Sequence, residues 1–270
     1  MQGNEKFLGR VASYAHKHAL WREGERILAA VSGGPDSLAL LLALKLLAVK
    51  EKINIGCCCV NHHLRAAAGK EAEFVESVCR EWNIPFILKE VDVQSAVRNG
   101  GSIETAARDL RYKALREAAR GGGYAKIAVA HHGDDQAETV LYHLLRGSGV
   151  TGLSGMKPIN GDIIRPFLCV SKNEIKDFLK DFSYVPCHDE SNDVEDAVRT
   201  RIRLSLVPEL ISYNPRVTES LRRTADIFRE EDLFMEEKAD VFISSCVEHD
   251  NDKCVFFIAY FLVLHIALQR

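Results

Sequence analysis

The chain of 270 residues is long enough for one large domain and a smaller second one, and 47% hydrophobic with 27% charged residues is typical of a globular protein. The net charge of −3 excludes a uniformly basic surface, so any nucleic acid must be contacted through local clusters of basic residues.

The eight cysteines do not form a recognisable metal or disulfide pattern. Cys57, Cys58 and Cys59 are consecutive, and neighbouring side chains point to opposite faces of a strand. The sequence contains no C-x-x-C pair, and its first ten residues do not resemble a signal peptide. We therefore expect reduced thiols and a cytoplasmic protein.

Short apolar runs alternate with amphipathic stretches over the first two thirds of the chain. Predicted strands cover residues 27–31, 53–60, 86–91 and 126–130, and predicted helices cover residues 36–50, 70–82, 102–120 and 134–145. Strands that alternate with helices of this length imply parallel crossover units. The sequence therefore predicts an α/β fold with a doubly wound, mostly parallel sheet.

The pattern changes after about residue 205. A break at Asn214 and Pro215 precedes a long, charged, amphipathic helix predicted over residues 217–243, with no strand pattern. We therefore expect a nucleotide-binding catalytic domain over residues 1–205 and a smaller helical module over residues 206–270.

The apolar run over residues 254–268 is interrupted by His265 and is shorter than the roughly 20 residues that a membrane span needs. We expect it to form a buried helix or a strand pair, and we expect no membrane association. Because the chain stops at Arg270 directly after this run, without a helix stop signal, we also expect the helical module to be truncated at its C-terminal end.

A glycine-rich loop lies between the first predicted strand and the first predicted helix. Its six residues are Ser32, Gly33, Gly34, Pro35, Asp36 and Ser37. Two glycines let the backbone approach an anion closely, and proline at the first helical turn costs no hydrogen bond. The serine hydroxyls and the positive end of the helix then favour phosphate. This string resembles the S-G-G-x-D-S loop of the ATP pyrophosphatase family, which implies ATP cleavage to AMP and pyrophosphate with the assistance of Mg²⁺.

A second chemical stretch, A-H-H-G-D-D-Q-A-E-T over residues 130–139, follows a strand and opens a helix. Asp135 and Glu138 are three residues apart and share one helical face, where they can hold a cationic amine or Mg²⁺. The alternative is that Asp134 caps the helix and the other acids are solvated. The spacing of His131 and His132 matches no zinc signature.

Two arginine-bearing stretches complete the pattern. Arg108 and Arg111 lie on one face of the helix predicted to start at Ser102, where they can bind phosphates or belong to a solvated surface. Residues 199–229 contain seven arginines and three acids, which suits an RNA backbone. The same arginines can instead form salt bridges with the acidic loop over residues 189–196.

Together these strings resemble the tRNA(Ile)-lysidine synthetase family over residues 20–210. The match also includes N-H-H-L-R at 61–65, S-I-E-T-A-A-R-D-L-R-Y at 102–112, L-L-R-G-S-G-V-T-G-L-S-G-M at 144–156, R-P-F-L at 165–168, and D-E-S-N at 189–192 with R-T-R-I-R at 199–203. The last run departs from the family at Thr200, where an asparagine is usual, and this bears on the contact made there.

The resemblance implies a ligase that uses ATP to adenylate C2 of the wobble cytidine of a tRNA(Ile) with a CAU anticodon and then joins the ε-amine of free lysine to it. It assigns ATP binding to Ser32, Gly33, Gly34, Pro35, Asp36, Ser37 and Arg108, with Asp36 near Mg²⁺. Catalysis and lysine binding are assigned to Asp36, Arg111, His131, Asp135 and Glu138, and tRNA binding to Arg199, Arg201 and Arg203. A homodimer is left open as the oligomeric state.

Three other classes of protein share parts of this pattern. A tRNA thiolase of the same ATP-cleaving family needs paired cysteines, and the sequence lacks a C-x-x-C. An amidotransferase-linked synthetase needs a glutaminase domain or an N-terminal cysteine nucleophile, whereas this chain begins with Met1 and Gln2. A nucleotide-binding or RNA-binding protein without turnover is the non-enzymatic alternative.

Overall fold

The computed structural model describes residues 2–62, 68–93, 103–182, 197–250 and 253–256. Several predicted features lie outside these ranges: Ser102 as a helix cap, Arg65, the acidic loop that contains D-E-S-N at 189–192, and most of the apolar run 254–268. None of the helices among the described residues is long and apolar enough to cross a lipid bilayer.

A six-stranded sheet forms the centre of the molecule, with its strands in the order β3-β2-β1-β4-β6-β5. The strands are β1 (Arg26–Ala30), β2 (Asn54–Asn61), β3 (Phe86–Glu90), β4 (Lys126–Ala128), β5 (Ile159–Asn160) and β6 (Ile163–Ile164). All pairings are parallel except that of β5 with β6. The predicted doubly wound, mostly parallel sheet is confirmed.

The helices that accompany this sheet alternate with its strands. They are α1 (Gln2–Lys17), α2 (Pro35–Glu51), α3 (Ala68–Glu81), α4 (Ile103–Gly122), α5 (Gly133–Leu145), α6 (Val150–Leu153) and α7 (Lys172–Lys180), with a 3₁₀ turn at Pro166–Cys169. Each helix predicted in this region is present, with its ends within about two residues of the prediction. Helices α1, α6 and α7 and the strand pair β5–β6 were not predicted.

Two apolar cores lie on the two faces of the sheet, because side chains alternate along β1. Ile27 and Ala29 pack with α1, α2 and α7, whereas Leu28 packs with Leu115 and Ala118 of α4 on the other face. Helix α2 is buried around most of its circumference, which explains its nearly continuous apolar sequence. The sheet is therefore covered by helices on both faces, as a parallel sheet requires.

The carboxyl ends of β1 and β4 form the topological switch point. The chain leaves β1 through α2 towards β2 on one side, and β4 pairs with the opposite edge of β1. The loops after these two strands diverge and leave a crevice, which is where open α/β sheets bind ligands. Both chemical stretches identified in the sequence follow these two strands.

The C-terminal part is mainly helical but also contains a hairpin. Helix α8 (Ala197–Arg201), a π-helical turn (Ile202–Leu206) and α9 (Val207–Tyr213) are continuous, and α10 (Val217–Cys246) follows. Strands β7 (Val247–Asp250) and β8 (Lys253–Phe256) then pair antiparallel. The helical character predicted beyond residue 205 is confirmed. The hairpin adds to it and was not predicted at Val247–Asp250, because short alternating runs give a weak pattern. The division at residue 206 stays a prediction; it falls inside the continuous helical run.

Helix α10 is fixed to the catalytic part of the chain by a buried arginine. Arg229 is 7% exposed and donates hydrogen bonds to the carbonyl oxygens of Ser154 (3.2 Å) and Met156 (3.4 Å). Gln136 of α5 reaches the same segment, since its side-chain amide contacts both residues. The long helix and the loop after α6 are thereby held against the start of α5.

We expect Arg229→Met to lower the free energy of unfolding by about 1–3 kcal/mol, because buried carbonyl groups lose their donors. Chemical denaturation with Arg223→Met as the control measures this effect, since Arg223 is an exposed arginine on the same helix. Equal stability of the two variants would show that Arg229 does not anchor α10.

Candidate active site

The glycine-rich loop after β1 is closed by hydrogen bonds to one serine. Gly33 has φ +89°, a conformation that residues with a Cβ atom rarely adopt. The Ser37 hydroxyl donates to the carbonyl oxygen of Gly34 (2.9 Å) and accepts the backbone N–H of Ser32 (3.2 Å). Gly34 caps α2, and Pro35 is the first helical residue. The loop thus has a fixed shape at a helix N-terminus, which favours binding of phosphate.

The carboxylate of Asp36 extends from this loop towards two basic side chains, those of His132 and Lys172. Its Oδ2 lies 3.7 Å from His132 Nε2 and 3.8 Å from Lys172 Nζ, and its Oδ1 is buried without a hydrogen-bond partner. Burial raises the pKa of Asp36, but the interactions with His132 and Lys172 outweigh it and the net pKa is lowered. Both separations exceed a hydrogen bond, so we treat them as ion pairs. Asp36 is therefore ionised and has one unused oxygen.

The second loop connects β4 to α5, and its backbone is fixed by the helix start. His132 is the N-cap residue, and its backbone N–H donates to Asp135 Oδ2 (2.9 Å). Asp134, the predicted alternative cap, instead accepts the backbone N–H of Lys172 (2.7 Å). That alternative is wrong, because α5 begins one residue earlier, at Gly133. Asp134 thereby joins this loop to the start of α7.

The two adjacent histidines have opposite charge preferences. Burial and the nearby charges of Arg165, Arg111 and Arg108 lower the pKa of His131 well below its usual range. Burial also lowers the pKa of His132, but Asp36, Asp135 and Asp134 outweigh it and the net pKa is raised. The buried Nδ1 of His131 has no hydrogen-bond partner. The surroundings therefore favour a neutral imidazole with an unused nitrogen at His131, and they favour the protonated form at His132, which lies among carboxylates.

The acidic pair on α5 is occupied by an arginine from the C-terminal part of the chain. Arg203 donates from Nε to Glu138 Oε1 (2.8 Å) and from Nη2 to Glu138 Oε2 (2.9 Å). Its Nη2 also lies 3.6 Å from Asp135 Oδ1. Arg203, which is predicted to contact tRNA, lies across the two predicted lysine-binding acids in this structure. No local pattern indicates this pairing, because the two residues are 65 positions apart.

Several arginines lie around Tyr112 and near His131. The guanidinium carbons of Arg108 and Arg111 lie 5.2 and 5.7 Å from the centre of the Tyr112 ring. Arg165, which directly follows β6, is only 6% exposed. It donates to the carbonyl oxygen of Lys157 (2.7 Å), and within the described ranges it has no carboxylate partner. The region is therefore strongly cationic and suits an anionic group of a substrate.

Arg165 and Lys172 are site residues that the sequence reasoning missed. Arg165 belongs to the R-P-F-L string, which was quoted only as part of the resemblance. Lys172 reaches Asp36 because α7 begins beside the β4 loop. The R-P-F-L string itself was the available signal for Arg165, whereas no sequence pattern indicated Lys172.

The remaining predicted RNA contacts lie on the surface beside the site. Arg199 and Arg146 both approach the ring of Tyr142, at 5.4 and 4.2 Å from its centre. Arg201 is exposed. Two arginines on one tyrosine present charge and an aromatic face together, which is a combination that binds unpaired RNA.

Magnesium fits one position in this arrangement. The unpartnered, buried Oδ1 of Asp36 beside the phosphate-binding loop is the kind of oxygen ligand that Mg²⁺ uses together with substrate phosphates. Across the part of the chain that the structure describes, no three His, Cys, Asp or Glu side chains are grouped to hold a metal ion. Any Mg²⁺ here would thus depend on ATP and water for its other ligands.

The opposite pKa shifts of the two histidines predict opposite effects of pH on stability. A histidine whose pKa is raised by folding stabilises the protein when the pH is below its unfolded-state pKa of about 6.5. This contribution disappears as the pH rises through its folded-state pKa. His132→Gln should therefore lower the melting temperature more at about pH 5.5 than at about pH 8.5.

A lowered pKa has the reverse consequence, because protonation of His131 at acidic pH favours the unfolded chain. The melting temperature of His131→Gln relative to the unmodified protein should therefore rise as pH falls from about 8.5 to about 5.5. Thermal melts of both variants at the two pH values test this pair of expectations. The same trend in both variants would contradict the charge assignment.

Comparison with solved structures supports the fold. A U34-tRNA thiolase, NcsA from Methanococcus maripaludis with its 4Fe-4S cluster, superposes with a TM-score of 0.67 at 17% sequence identity. The match covers 84% of this chain and 80% of the thiolase. At this identity the likeness concerns the fold alone.

Comparison of sequences identifies the family. Residues 5–210 match the PP-loop domain. A tRNA(Ile)-lysidine synthase from Caldanaerobacter subterraneus subsp. tengcongensis is 36% identical over 97% of this chain and 56% of the relative. Another from Petrotoga mobilis is 36% identical over 84% of this chain and 74% of the relative. The chain spans 56% to 60% of the length of the first relatives it matches. The chain therefore belongs to the PP-loop family and, within it, to the tRNA(Ile)-lysidine synthases.

Proposed function

We propose that this chain is an ATP-dependent carbon–nitrogen ligase that modifies tRNA in the cytoplasm. Its substrates are ATP, free lysine and a tRNA(Ile) with a CAU anticodon, and the product is lysidine at the wobble position. The single observation that carries the proposal is the meeting of two loops at the β1–β4 switch point. Asp36 of the phosphate-binding loop lies 3.7 Å from His132 of the acidic loop. A nucleotide phosphate and an amine substrate can therefore occupy neighbouring positions.

The first step transfers the adenylyl group. The C2 oxygen of the cytidine attacks the α-phosphorus of ATP, a new P–O bond forms, and the bond to the β-phosphate bridging oxygen breaks to release pyrophosphate. The loop residues Ser32–Ser37 hold the phosphates, and Arg108 is proposed to assist them. Asp36 would hold Mg²⁺, which offsets phosphate charge when it is bound. Positioning and charge stabilisation carry most of such a reaction.

The second step forms the carbon–nitrogen bond. The ε-amine of lysine attacks C2, the C2–O bond breaks, and AMP leaves with the oxygen. Asp135 and Glu138 hold the amine, while Arg111 is proposed to bind the lysine carboxylate. His131 is proposed to accept the proton that the amine loses, and the support for this role is its buried Nδ1, which has no hydrogen-bond partner. Arg199 and Arg201 contact the anticodon arm.

Pyrophosphate release tests this proposal. We expect release from ATP that requires tRNA and is accompanied by AMP, and we expect omission of tRNA to abolish it. A tRNA with a different wobble base is the matched control. Release of ADP and phosphate, or pyrophosphate release that does not depend on tRNA, would contradict the proposed reaction. Incorporation of sulfur from a sulfide donor in place of lysine would indicate the thiolase alternative.

A further inference from the structure

The carboxylates proposed to hold the lysine amine already have an internal cation. Two N–H groups of Arg203 satisfy both oxygens of Glu138, at 2.8 and 2.9 Å. The Glu138 side chain is only 11% exposed and that of Arg203 only 25%. A paired, half-buried guanidinium–carboxylate contact of this geometry is among the stronger polar interactions in proteins. An incoming ammonium group therefore meets acids that are not vacant.

We propose that Arg203 is a specificity-determining residue that occupies the ammonium position and is displaced by the cationic side chain of the amino-acid substrate. This inference rests on the proposed function, since it assumes that lysine binds at Asp135 and Glu138. An amino acid with a neutral side chain cannot replace a buried positive charge between two carboxylates, so Arg203 stays in place. The internal arginine thereby excludes neutral amino acids of similar size.

The position of Arg203 in the chain gives the displaced side chain an alternative partner. Arg203 lies on the π-helical turn Ile202–Leu206, directly after the predicted RNA-binding residues Arg199 and Arg201. Ile202 is 2% exposed and anchors this turn, whereas Leu204 is 69% exposed. Single π-helical turns are frequent at functional sites. A phosphate of bound RNA can accept the guanidinium when it leaves Glu138.

Displacement of this kind links the two substrates. When RNA attracts Arg203 away from Asp135 and Glu138, the acids become vacant and lysine binds more tightly. By thermodynamic linkage, lysine that displaces Arg203 strengthens the binding of RNA by the same factor. In the absence of RNA, the apparent affinity for lysine is proportional to the fraction of molecules in which Arg203 has left the site. The protein therefore binds free lysine weakly until RNA is present.

Equilibrium dialysis with labelled lysine, without RNA, tests the displacement. We expect Arg203→Ala to bind lysine at least about 10-fold more tightly than the unmodified protein, because the internal competitor is gone. The affinity of Arg203→Lys for lysine should lie between those of Arg203→Ala and the unmodified protein, because one ammonium group cannot span both oxygens of Glu138. The control is Arg80→Ala, which removes an exposed arginine–glutamate pair (3.3 Å to Glu76) elsewhere on the surface. Its affinity for lysine should not change.

Two further arms complete the experiment. A CAU anticodon stem-loop RNA should tighten lysine binding by the unmodified protein and should not tighten it further for Arg203→Ala. Norleucine, which lacks the charge, should bind to neither. ATP binding and the melting temperature confirm that the variants are folded.

Unchanged or weaker lysine binding by Arg203→Ala would overturn the proposal and show that Arg203 helps to build the site. If lysine is nevertheless incorporated into tRNA by the unmodified protein, the proposed function stands and only this inference fails. If neither protein binds lysine although both bind ATP, the assignment of lysine to this site fails, and the inference fails with it.

Discussion

Replacing Asp36 with asparagine is expected to lower tRNA-dependent pyrophosphate release by about 100- to 1000-fold, the size of effect seen when one preorganised electrostatic group is removed from a transition state. The amide keeps the shape of the side chain but removes the charge that faces His132 and Lys172. It also replaces the carboxylate whose unpartnered oxygen would hold Mg²⁺ with a neutral amide, which is a weaker ligand for this ion. Initial rates at saturating ATP measure the change.

The control for this prediction is Asp177→Asn, which changes an exposed aspartate on α7 that pairs with Lys180 (2.7 Å). Because surface ion pairs contribute little, we expect its rate to equal that of the unmodified protein. A rate for Asp36→Asn within about threefold of the control would show that Asp36 does not act on the phosphates.

Replacing Glu138 with glutamine is expected to reduce lysine incorporation into tRNA by about 10- to 100-fold, which corresponds to the loss of a charge-assisted hydrogen bond. The amide accepts one hydrogen bond instead of two from Arg203 and no longer attracts the lysine ammonium. The phosphate-binding loop is not touched, so the affinity for ATP should stay the same. Labelled-lysine incorporation and ATP binding are therefore measured on the same preparation.

Glu237→Gln is the matched control, because Glu237 is exposed on α10 and lies away from the switch point. Parallel loss of ATP binding and lysine incorporation in Glu138→Gln would mean that the substitution disturbs the whole crevice. Retention of full incorporation would contradict the placement of the amine at α5.

The parts of the site that the sequence predicts are those defined by short-range patterns. The loop Ser32–Ser37 is contiguous, and its conformation follows from Gly33, Pro35 and the Ser37 hydroxyl. The strand and helix alternation then places this loop and the loop at His131–Asp135 at the same edge of a parallel sheet. Local chemistry and topology together are therefore sufficient to locate the crevice.

The parts that the sequence does not predict depend on contacts between distant segments. Arg203 and Glu138 come together only because α10 packs against α5 and brings the π-helical turn beside it. His132, rather than Asp134, caps α5 because Gly133 is held by the carbonyl oxygen of Val170 (2.7 Å). Such pairings are decided by tertiary packing, and neither residue type nor spacing encodes them.

The central claim is that the two loops at the β1–β4 switch point form one active site for lysine transfer. Analysis of the tRNA after reaction tests this claim most directly. The purified chain is incubated with ATP, Mg²⁺, isotope-labelled lysine and an unmodified tRNA(Ile) with a CAU anticodon, and the tRNA is digested to nucleosides for mass spectrometry. We expect the label in a single modified cytidine at the wobble position, with AMP and pyrophosphate formed in equal amounts and no label with Asp36→Asn or Glu138→Gln. An unlabelled tRNA from an incubation in which ATP is cleaved, or a label that persists in both variants, would contradict the account.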